Sequence, residues 1–177
     1  GNVGTGVTIE SARFGNGRGI TLASHSIVVP HSSTLNFGTG DLTVELWIKV
    51  RQTGTTFVRL LQKIQTSLPI RGWLLGMVDG TFRALVDVYT GTPGNLDYTQ
   101  IIGSRSIADG KWHHVAATIT TTNISLYLDG VFEVSSLVTV PGSTDNSAQI
   151  EFNNSSIQPT GDWSAVYDEV RISNILR

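Results

Sequence analysis

Apolar residues fall at every second position along much of this chain. Leu42, Val44, Leu46, Ile48 and Val50 alternate without a fault with Thr43, Glu45, Trp47 and Lys49. That is the period of a strand with one face turned to a core. Val115, Ala117 and Ile119 alternate in the same way with His114, Ala116 and Thr118, and Ile124, Leu126 and Leu128 with Ser125 and Tyr127. Asp109-Gly110 and Asp129-Gly130 bound these two runs, and Thr121-Thr122-Asn123 parts them. The pattern predicts a hairpin with one apolar face and one face left for water or a partner.

Shorter runs predict strands at residues 7–9, 20–22, 27–29, 57–64, 72–78, 82–89, 98–103, 131–140 and 149–152, with a last strand toward the C-terminus. Trp73 keeps phase with Leu75 and Met77, a place at the rim or in the core. In the last strand Val166, Asp168, Val170 and Ile172 share a phase, which is expected to face the interior. Residues 13–19, RFGNGRG, carry loop chemistry, as do 91–96, 143–147 and 153–162. No stretch has a 3.6-residue period. About a dozen strands with closely spaced turns predict an all-β fold, an antiparallel two-sheet β-sandwich of the jelly-roll kind.

Composition narrows the function classes. At 177 residues the chain is expected to form a single module over 1–177 with a self-sufficient core, and with Cys 0 it does so without disulfides. Net charge is -2 and Lys and Arg are not clustered, which argues against nucleic acid. No apolar run approaches the ~20 residues of a membrane-spanning helix, so membrane insertion is not expected. The opening GNVGTGVTIE lacks the pattern of a signal peptide.

Three segments carry a family resemblance: DGKWHHVAATITTTNISLYLDG at 109–130, DLTVELWIKV at 41–50 and YDEVRISNILR at 167–177. In order and content they resemble the laminin-G-like, concanavalin A-like jelly rolls. The resemblance implies a recognition module for a glycan or protein ligand, flanked by neighbouring domains of a larger extracellular, cell-surface or virion-associated chain. A structural or assembly domain of a virion, tail fibre or surface adhesin is the alternative.

Catalysis is not expected. The ExDxE-type run of related glucanases is absent, Asp168 and Glu169 are neighbours, and Glu45, Asp87 and Glu151 stand on separate strands. No GxSxG or HExxH run is present. His113 and His114, adjacent on a strand, project to opposite faces and cannot chelate one ion together. Trp47, His114 and Tyr127 all take the polar phase of their strands. They are the candidate ligand-binding residues, because sugar rings stack on aromatic faces. Their alternative role is a second layer of packing. For Asp168 the resemblance implies a structural Ca²⁺, with carbonyls of Gly15 and Asn16 beside it. Satisfaction of Asp168 by backbone N–H groups or by the neighbourhood of Arg171 is the other possibility.

Overall fold

The computed structural model describes residues 2–3, 6–21, 26–52, 57–78, 83–90, 98–139, 142–153 and 164–177. The expected turn at 79–80, the loop at 91–96 and Trp163 lie outside them. Among the described residues two antiparallel sheets of seven strands face each other. The first runs, in spatial order, through β1 (Asn2–Val3), β4 (Ile27–Val29), β13 (Ile150–Phe152), β6 (Val58–Gln65), β7 (Arg71–Met77), β8 (Arg83–Thr90) and β9 (Tyr98–Ser106). The second runs through β12 (Val131–Leu137), β11 (Asn123–Leu128), β10 (Trp112–Ile119), β5 (Leu42–Gln52), β14 (Ser164–Ser173), β3 (Asn16–Ile20) and β2 (Val7–Ser11). This is the all-β jelly-roll sandwich that the alternation predicts.

The core is made by the inward phases of the two sheets. On β5, Leu42, Val44, Leu46, Ile48 and Val50 are at most 2% exposed, and Val115, Ala117, Ile124, Leu126 and Leu128 join them from the predicted hairpin. Trp73, Leu75, Met77, Val86 and Val88 face them from the first sheet, which places Trp73 in the core. Each such large side chain contributes about 1.5–3 kcal/mol by leaving water. One cation shares this interior. The Lys63 ammonium donates to Asn36 Oδ1 at 2.9 Å and to the Asn146 carbonyl at 2.7 Å, and burial lowers its pKa. Asn146 in turn donates to the Lys63 and Arg71 carbonyls, which ties its loop to the first sheet.

Where β9 and β12 end their sheets, Glu133 joins them. Its carboxylate accepts from Ser104 N at 2.8 Å and from Arg105 Nε at 2.5 Å. Burial works to raise its pKa, but the hydrogen bonds from Ser104 and Arg105 outweigh it and hold the group below the usual value.

Two local expectations are corrected. The stretch with loop chemistry at 13–19 runs into β3 from Asn16 on, and the glycines of that strand serve close packing rather than a turn. A Cβ on Gly17 would collide with the Tyr167 carbonyl of β14, and one on Gly19 with the Glu10 side chain of β2. The second correction concerns β14. Ala165 pairs with Val50 and Tyr167 with Ile48, so these two face the core, while Val166 and Asp168 pair with Lys49 and Trp47 on the outer side. A bulge between Asp168 and Arg171 then shifts the phase, and Ile172 pairs with Val44. Glu169 in the bulge has φ 45, the left-handed region. Asp168 therefore does not share the inward phase of Ile172, because one extra residue separates them.

Candidate functional site

Strand register assembles the site on the outer face of the second sheet. Trp47 of β5 lies directly opposite His114 of β10, and their rings are 5.3 Å apart at 46°. One row along, Glu45 faces Ala116 on one side and Arg171 on the other. Glu45 Oε2 is 3.3 Å from His114 Nε2, and Oε1 is 3.5 Å from an Arg171 guanidinium nitrogen. Phe14 stands edge-on to Trp47, with centroids 6.2 Å apart at 78°. Together Phe14, Glu45, Trp47, His114, Glu169 and Arg171 line a groove of about 230 Å³. That is smaller than the ~300–1,000 Å³ of drug-sized pockets and suits a single ring.

Of the three predicted ligand residues, two meet and one does not. Tyr127 shares the outer face, but Ala116 lies between it and Glu45, and its own contact is Phe132 of β12 at 5.8 Å. Two strand spacings put it about 10 Å from the Glu45 strand. Phe14, Glu45, Glu169 and Arg171 enter the site although the sequence pattern does not single them out for it. Phe14 lies in apparent loop sequence, and the bulge that sets the places of Glu169 and Arg171 has no signature in the run YDEVRIS.

Asp168 anchors the turn that carries Phe14. Oδ2 accepts from Phe14 N at 2.8 Å and Oδ1 from Glu169 N at 2.9 Å. The turn is closed by Ala12 N donating to the Gly15 carbonyl at 3.0 Å, and Gly15 is in the left-handed region at φ 67. Asn16 is the first residue of β3, paired with Ser11. The expected calcium ligands are thus neighbours in space, but both Asp168 oxygens are aimed at N–H donors and the Gly15 carbonyl has its own donor. Among the described residues no group of three or more ionisable ligands surrounds them.

His113 and His114 point apart, as the strand period requires. His113 is bracketed by Asp129 at 2.9 Å from Nδ1 and Asp109 at 3.0 Å from Nε2, which pins together the two Asp-Gly turns at the ends of the hairpin. The Lys111 N–H and His113 hold the Asp109 carboxyl down at about 2.

The other outer face, on the first sheet, has different chemistry. Glu151, Gln62, Leu74, Asp87 and Gln100 form one row across β13, β6, β7, β8 and β9. Asp87 accepts from Gln100 Nε2 at 2.8 Å and is 3% exposed, and burial raises its pKa. Three strand spacings separate Asp87 from Glu151, about 14 Å, which exceeds the roughly 5–9.5 Å between paired glycosidase carboxylates.

The family model for the concanavalin A-like lectin/glucanases superfamily, of laminin-G type, matches residues 14–177. The chain belongs to this superfamily. No curated protein sequence is significantly similar to it. Solved structures of the same fold include the binding domain of Paraclostridial Mosquitocidal Protein 1, with a TM-score of 0.79 at 20% identity over 98% of this chain and 43% of that one. The binding domain of botulinum neurotoxin serotype G gives 0.80 at 16% identity, over 98% and 42%. The ligand-binding domain of serotype D, solved in complex with N-acetylneuraminic acid, gives 0.73 at 15% over 98% and 42%. This superfamily member spans less than half of each of those chains, and at such identities the likeness is one of fold.

Proposed function

We propose that this superfamily member is a non-catalytic recognition module for carbohydrate, working outside the cell as part of a larger protein. The observation that carries the reading is the outer-face groove in which cross-strand register sets Trp47 against His114, with Glu45 and Arg171 one row along. An aromatic floor flanked by a carboxylate, a guanidinium and an imidazole suits a sugar. Ring C–H groups pack on the aromatic surface, and hydroxyls donate to the carboxylate and accept from the cation. Support also comes from the superfamily, whose description names lectins, and from fold neighbours that are binding domains, one of them crystallised with a sialic acid.

The non-catalytic part rests on the absence of a glucanase-type ExDxE run and on the wide separation of Asp87 and Glu151. The test is a glycan array on the isolated domain, followed by titration of the best sugar into Trp47→Ala. Binding is expected to vanish while the melting temperature stays within a few degrees, because Trp47 lies outside the core cluster. Undiminished binding in this variant would remove the groove from consideration.

A further inference from the structure

We propose that the glycan is anionic, with a carboxylate taken by Arg13; this rests on the groove being the glycan site. Arg13 follows Ala12 and precedes Phe14, which lines the groove. Its guanidinium carbon lies 5.1 Å from the Trp47 ring centroid and 5.3 Å from that of Phe14, within the range of cation–π attraction. Contacts of this kind supply no oxygen or nitrogen acceptor to the N–H donors of the guanidinium. Among the described residues those donors meet no hydrogen-bond acceptor and no carboxylate. By contrast Arg51 pairs with Glu10, Arg105 with Glu133 and Arg171 with Glu45.

The carboxylates that face this region do not claim Arg13. Asp168 is held by the N–H groups of Phe14 and Glu169, and Glu45 by His114 and Arg171. Glu169 lines the groove and is exposed, with no ion pair to Arg13. The turn is fixed by the Ala12–Gly15 bond and the Asp168 anchor, so the fork is presented with part of its ordering cost already met before a ligand arrives. A planar fork of N–H donors matches a carboxylate in bidentate fashion. The free Glu169 side of the groove suits the hydroxyls of the same sugar, which can donate to it.

The probe pair is 3′-sialyllactose and lactose, which differ by one carboxylate-bearing sugar, titrated into the full chain by NMR at low salt. The expected result is that sialyllactose binds at least tenfold more tightly. In Arg13→Gln that preference, read as the ratio of the two affinities, is expected to fall to about one, and in Arg13→Lys, which keeps the charge without the fork, to be partly retained. Arg13 is exposed, so both variants are expected to melt with wild type. Equal wild-type affinity for the two sugars overturns the anionic assignment and leaves the groove as a neutral-sugar site. An equal loss for both sugars in Arg13→Gln reduces Arg13 to a support for the Trp47 and Phe14 rings and overturns it too. Binding of neither sugar at millimolar concentration, with a neutral glycan bound in the array, likewise overturns it. An array with no binding at all removes the glycan reading itself.

Discussion

The two outer faces of the sandwich both carry carboxylates and aromatic rings in register, yet they use them differently. On the first sheet Asp87 is 3% exposed, its carboxylate capped by Gln100, while Tyr89 and Tyr98 stack on each other 5.3 Å apart at 25°. On the second sheet Glu45 keeps 15% of its side chain exposed, between Arg171 and His114, on the wall of an open groove. The difference lies in burial. A carboxylate shut away from water contributes to folding only through the partners that satisfy it, whereas one left at a groove wall can exchange a partner for a ligand at small cost. The same residue types are structural on one face and available on the other.

The comparison breaks most visibly by truncating the buried acid. Asp87→Ala leaves the Gln100 amide without its acceptor and is expected to cost about 2 kcal/mol, about 4–8 °C in melting temperature for a domain of this size. Sugar titration should be unaffected. A change in affinity with no loss of stability would mean that the first-sheet face is the binding one.

A smaller effect comes from pH. Burial raises the Asp87 carboxyl above its ordinary 3.8, so the folded protein holds that proton to higher pH than the unfolded chain. The destabilisation is absent below about 3.8, grows as pH rises toward the raised folded value, and is constant above it. Asp87→Asn lacks this cost, so its melting temperature relative to wild type should climb with pH across that window. A difference that stays flat between pH 3 and 7 contradicts the burial argument.

Smaller again is the stability cost of Glu45→Ala, below about 1 kcal/mol for a partly exposed ion pair. Thermal denaturation should place it within ~4 °C of wild type, while glycan affinity falls about tenfold, a factor that corresponds to ~1.4 kcal/mol. A variant that melts much earlier would make Glu45 a structural residue like Asp87.

The smallest expected effect is none. With both Asp168 oxygens facing N–H donors, EDTA should leave the melting temperature where it is, whereas a lost structural ion would lower it by several degrees. A drop restored by added Ca²⁺ would establish the calcium site that the family resemblance implies.

The sandwich and half of the groove are legible in the sequence, for one reason. Period-two alternation reports which residues share a face, so β5 and the β10–β11 hairpin are readable, and with them the outward positions of Trp47, His114 and Tyr127. Alternation does not report which strands are neighbours. That is why it groups Tyr127 with Trp47 although Ala116 stands between Tyr127 and Glu45, and why it does not reveal Arg171 and Glu45 as a pair. It also fails where the period slips. One added residue at Glu169 moves Asp168 from the expected inner face to the outer one, and YDEVRIS offers no glycine to announce it. In β3 the signal is present but points two ways, since glycine marks close approach of backbones as well as turns.

Every functional conclusion depends on the second-sheet face being the one that meets sugar. Amide and indole shift mapping by NMR, with the best array glycan titrated into the isotope-labelled chain, addresses this directly. Saturable shifts are expected at the Trp47 indole and the backbone of Phe14, Glu45, His114 and Glu169, with Tyr89, Tyr98 and Gln100 still. Shifts confined to Tyr89, Tyr98 and Gln100 would contradict it and move the site to the opposite face.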